Sequence, residues 1–145
     1  MNILAAIDIS RATDPVLRTV QRVAKASGAK IWLLHVAEPE PDFIGYGAGP
    51  DVVRTQVARE YHDEHKAIQA HAELLRQAGI DATALLIQGP IVETTLKEAE
   101  RLKAEMLIVG SHGYGAVYDL LVGSISRGIL KHSKIPVLVV PVQDD

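Results

Sequence analysis

Short apolar runs and longer stretches of helical spacing alternate along the whole chain. Residues 2–7, NILAAI, are apolar without alternation, the pattern of a strand buried on both faces of a parallel sheet. Val16, Val20, Val23 and Ala24 then recur at helical spacing. Thr13 or Asp14 can cap that helix, Pro15 lies in its first turn, and Gly28 stops it. A second strand is expected at 30–36, KIWLLHV, and a long helix over 51–78, with Val53, Val57, Ile68 and Leu75 in phase and Gly79 as its breaker. IDATALLI at 80–87 reads as a third strand, followed by a Gly89-Pro90 turn and an amphipathic helix marked by Ile91, Thr95, Leu96, Ala99 and Leu102. Glu105 to Val109 makes a fourth strand, 124–132 a last helix, and PVLVVP at 136–141 a fifth strand fenced by prolines.

Strands alternating with helices in this way imply an α/β fold: a doubly wound, five-stranded parallel sheet, Rossmann-like, with right-handed crossovers and helices on both faces. The expected strand order is 3-2-1-4-5. Ligands of such sheets bind beyond the carboxyl ends of the strands, where the order reverses. In that order strands one and four flank the reversal, so Asp8, Ser10, Val109 and Gly110 are expected at one crevice. The Pro/Gly-rich connection from Ala37 to Pro50 is long for a compact domain and reads as a binding loop or mobile segment.

Composition narrows the possibilities. At 145 residues the chain has the length of one domain, expected to span 1–145. A net charge of −3 with both signs interleaved points to neither nucleic acid nor an anionic membrane. The absence of cysteine excludes a disulfide framework, a thiolate metal site and a thiol nucleophile. Apolar runs fall well short of the roughly 18 residues of a membrane span, so a cytoplasmic protein without membrane insertion is expected.

Candidate chemistry concentrates in LIVGSHGYGAVYDLLVGSIS, residues 107–126. Glycines at 110, 113 and 123 admit close backbone approach, and a helix opening at Ser124 would aim unpaired N–H groups at an anion. The stretch lacks the lysine of G-x-x-x-x-G-K-[ST], and GSHGYG is not G-x-G-x-x-G. From the residues alone a second reading stays open, in which Gly110 and Gly113 turn the chain and Gly123 permits close packing. His112 could serve as a general base, although no carboxylate stands beside it in sequence. EYHDEH at 60–65, with His71 beyond, lacks H-E-x-x-H spacing and reads as a solvated helix face rather than a metal site.

The pattern G-x-x-G-x9-G-[ST] after a four-residue apolar strand resembles the nucleotide-binding signature of the universal stress protein family, in its ATP-binding branch. The resemblance extends over essentially the whole chain in element order and length. It implies ATP, with ADP or AMP as alternatives, and magnesium held mainly by the phosphates. By position, Asp8 is expected to take the ribose, Ala6 and Ile7 to line the adenine side, and Val36 to meet adenine through its main chain. Gly110, His112 and Gly113 would follow the ribose and phosphates, while Gly123, Ser124, Ile125 and Ser126 would cap the phosphate tail. Tyr114 where many relatives carry a basic residue, Asp119, and Ile9 in place of a small residue depart from the pattern.

The resulting expectation is a stress-response regulatory module that binds ATP and offers a nucleotide-sensitive surface to an unidentified protein partner, with hydrolysis at most slow. A dimeric interaction protein without nucleotide is the alternative. An adenylyl transferase or ATP pyrophosphatase is weaker, since IDISRATD carries no serine-glycine-rich loop and the chain no HIGH-type histidine pair. As an apolar edge, Val137, Leu138, Val139, Val140 and Pro141 are expected to pair antiparallel across a two-fold axis in a homodimer, which the resemblance also implies.

Overall fold

The computed structural model describes residues 1–10, 13–37, 50–112 and 122–142, with side chains left aside at 50–58. The elements run β1 Asn2–Ala6, α1 Thr13–Ser27, β2 Lys30–Ala37, α2 Pro50–Gln77, β3 Ala82–Gln88, α3 Ile91–Arg101, β4 Met106–Gly110, α4 Ser124–His132 and β5 Val137–Val140. All strand pairs are parallel in the order β3-β2-β1-β4-β5, as the alternation predicts.

The unbroken apolar runs have the expected cause, because each central strand feeds two cores. Ile3, Ala5, Ile7, Ile31 and Leu33 pack with Val16 and Val20 of α1 and Ile68, Ala72 and Leu75 of α2. On the other face Leu4, Ala6, Leu34, Val36, Leu107 and Val109 pack with Ile91 and Ala99 of α3 and Ile129 of α4. Ile3, Leu4, Leu33, Leu34, Leu107 and Ile108 are wholly buried. At roughly 1.5–3 kcal/mol for each fully buried large aliphatic, these layers dominate the stability of the sheet.

Element ends differ by a residue or two from the sequence expectation. β3 starts at Ala82 rather than residue 80 because Ile80 N–H is used to finish α2, donating to Leu75 O at 3.1 Å. Gly79 makes this possible with φ 86°, and its own N–H donates to Arg76 O. β1 stops at Ala6, yet Ile7 N–H still donates to Leu34 O at 2.9 Å, so the ladder reaches one residue further. Residues 38–49, Gly113, Tyr114 and Asp119 lie outside the described residues.

EYHDEH needs correction as a wholly solvated face. His62 and His65 are exposed, but Tyr61 Oη–H donates to Leu86 O at 3.3 Å, and Glu64 faces His35 of β2 at 3.5 Å. A helix face presents different residues to water and sheet within one turn, which a contiguous polar run conceals. Among the described residues no group of three or more His, Asp or Glu could hold a metal ion.

Candidate functional site

At the carboxyl end of the sheet, where the order turns between β1 and β4, a cleft is lined by Ala6, Ile7, Asp8, Val109, Gly110, His112, Ile125 and Ser126. The structure therefore brings eight of the sequence-derived residues together from three segments far apart in the chain. Thr13, Val16, Ile91 and Ile129 complete the lining and were not anticipated there. Thr13, Val16 and Ile91 were legible as capping or helix-core positions, but their place at the cleft, like that of Ile129, depends on how the helices dock.

Asp8 follows β1 in a turn tied at several points. Asp8 Oδ1 accepts Ser10 N–H at 3.1 Å and Ser10 Oγ–H at 2.5 Å. Ser10 N–H is also shared with Thr13 Oγ1 at 3.0 Å, and Thr13 N–H returns to Ser10 O at 3.0 Å, a reciprocal closure of the α1 start. Ser10 itself is exposed and braces Asp8 rather than lining the cleft. Between them Ile9 holds φ 56°, the left-handed region, which a branched residue enters at about 1–2 kcal/mol.

The β4 end is organised by Ser111, which is 6% exposed. Its N–H donates to Val140 O, its Oγ accepts Val142 N–H at 2.8 Å, and its carbonyl accepts Gly123 N–H at 2.7 Å. The same hydroxyl lies 3.1 Å from His112 Nδ1. Gly110 stands where a Cβ would meet His112 O at 3.1 Å and methyls of Val16 and Val142 at 3.3 Å. Its small size is a matter of space, since its φ is not in the left-handed region.

Gly123 caps α4 in extended conformation without a side-chain cap bond. A Cβ there would lie 3.3 Å from Ser111 O, so this glycine also serves close packing of two backbone segments. Ser126 Oγ–H donates to Gly110 O at 2.5 Å. Its hydroxyl proton is thereby committed to joining α4 to β4.

Val36 does not line the cleft through its side chain, which is buried in the α3/α4 core. Alternation along β2 fixes its main chain instead. Lys30 N–H and Leu34 O bond toward β1, whereas Ile31 N–H and Ala37 O bond toward β3. Val36, in phase with Lys30 and Leu34, turns its N–H and C=O toward the β1 side, just past the end of that strand.

Comparison with known proteins gives a consistent set of likenesses. Residues 1–141 match the model of the universal stress protein family. A curated relative, the universal stress protein in the QAH/OAS sulfhydrylase 3′ region of Thermus aquaticus, is 31% identical over 139 residues, covering 95% of this chain and 96% of the relative. A universal stress protein solved in complex with cAMP superposes with TM-score 0.72 at 20% identity, covering 97% of this chain and 96% of the other. The universal stress protein of Archaeoglobus fulgidus solved in complex with dAMP gives TM-score 0.66 at 16% identity, with 97% of each chain covered. At these identities the structural likeness speaks for the fold.

Proposed function

The chain belongs to the universal stress protein family, and from that premise we propose that it binds an adenine nucleotide, ATP above all, in the β1/β4 cleft. The observation that carries this reading is the convergence of Asp8, Gly110, His112 and the start of α4 at the topological reversal of the sheet. The residues suit such a ligand chemically. A carboxylate accepts from adjacent ribose hydroxyls, and Ala6, Val109 and Ile125 supply apolar contact. The outward main chain of Val36 matches the edge of a planar base, and amides at the α4 start suit phosphate. Two relatives of the fold solved with cAMP and dAMP support the adenine class. Magnesium would accompany ATP on phosphate oxygens.

On this reading the protein is a cytoplasmic, homodimeric regulatory module whose nucleotide state is read by a protein partner. Titration calorimetry with ATP, ADP and AMP tests it. Wild type is expected to bind ATP, and Gly123→Val to lose at least about tenfold in affinity, because a branched side chain would press on the 111–112 backbone beside the first α4 amides. Absence of binding by wild type, or unchanged affinity in Gly123→Val, overturns the site assignment.

A second reading, a dimeric interaction protein without nucleotide, is favoured by one specific feature. Gly123 and Ser126 already have structural work, packing on Ser111 and bonding Gly110. Mass spectrometry of small molecules released from the denatured protein separates the two, since nucleotide is expected only on the first.

A further inference from the structure

His35 is a polar residue in an apolar layer. The alternation that sends Ile31 and Leu33 to the α1/α2 face sends His35 there also, and it is 6% exposed. A buried imidazole is costly unless its nitrogens find partners. Here Nδ1 lies 2.9 Å from Ile7 O, and Nε2 lies 3.5 Å from Glu64 Oε2 of α2. A carbonyl only accepts, so the Nδ1 position carries a proton.

The carbonyl it holds is not an arbitrary one. Ile7 is the first residue past β1, and its carbonyl carbon is bonded to the amide nitrogen of Asp8. Downstream, the chain passes through the left-handed Ile9 and is tied again where Ser10 and Thr13 close on each other. The Asp8 turn is thus strained in the middle and clamped at both ends, by His35 before it and Thr13 after it. A strained segment keeps its shape only while its surroundings over-determine it.

We propose that His35 is a positioning residue: it fixes the Asp8 carboxylate at the cleft through the Ile7 carbonyl. Only the affinity readout below rests on the nucleotide reading; the clamp itself is observable without ligand.

The test uses the full chain labelled with nitrogen-15. Long-range proton–nitrogen spectra of wild type are expected to place a proton on His35 Nδ1. His35→Leu is expected to displace the Asp8 and Ser10 amide resonances and to weaken ATP binding by about fivefold, the loss of one buried hydrogen bond. His35→Gln, whose amide can donate to the same carbonyl, is expected to recover much of both. An Nδ1 without a proton, or unmoved Asp8 and Ser10 amides in folded His35→Leu, overturns the proposal. If that variant does not fold, the wild-type spectrum still decides, because a ring without a proton on Nδ1 cannot donate to a carbonyl. Displaced resonances in a protein that binds no ATP sustain the clamp and remove the nucleotide reading instead.

Discussion

Among the described residues, two without glycine's freedom hold left-handed backbone, and they illustrate how magnitudes separate similar-looking positions. Lys103 has φ 54° just after α3, where its N–H donates to Glu100 O and Ala104 N–H to Ala99 O. This is the helix end that glycine usually occupies, and the lysine side chain is exposed. Lys103→Gly is expected to stabilise the protein by about 1 kcal/mol, read as a Tm rise of about 2–4 °C. Ile9→Gly relieves the same strain but also removes apolar contact with the α1/α2 core, so its gain is expected to be offset. Gly110 is the opposite case. Gly110→Ala places a methyl 3.1 Å from the His112 carbonyl, which is backbone and yields little, so a loss of about 1–3 kcal/mol is expected on chemical denaturation. That Gly110 needs space rather than dihedral freedom is decided by its neighbours, which the sequence does not show.

At the scale of elements, α4 is joined to β4 by two short links, Gly123 N–H to Ser111 O and Ser126 Oγ–H to Gly110 O. Ser126→Ala deprives the Gly110 carbonyl of that donor and is expected to cost about 1–3 kcal/mol, measurable by urea unfolding, while widening the cleft side of α4. Existence, type and order of the nine elements among the described residues were legible from apolar spacing and from Gly28, Gly79 and the 136–141 prolines. Strand ends were less so. Whether Ile80 joins the sheet or closes α2 depends on which acceptor its N–H reaches, and composition carries no record of that choice.

For the whole molecule, β5 is one of the sheet's two outer strands, and its hydrogen-bond phase makes the dimer testable. Pro136 O and Val140 O accept from Leu107 and Ser111 of the β4 side, so Val137 and Val139 turn their peptide groups outward. Val139→Pro therefore removes an outward N–H while leaving the β4 ladder intact. If the proposed homodimer forms through this edge, sedimentation of Val139→Pro is expected to report monomers with wild-type secondary structure. A dimer undiminished by that change would place the interface elsewhere.

The periodicity of the chain by itself determined the doubly wound sheet, since runs apolar on every residue must be covered on both faces and only helices of matching phase can cover them. It also pointed to Asp8 and Gly110 of the cleft lining, because they are breaks in otherwise regular patterns. The tertiary structure decided what those breaks do. That Ser126 bonds Gly110, that Ser111 ties β4 to β5 and α4, and that His35 reaches Ile7 across the β1–β2 boundary are contacts between residues remote in sequence. Such pairings follow from strand register and helix docking, which local spacing leaves open.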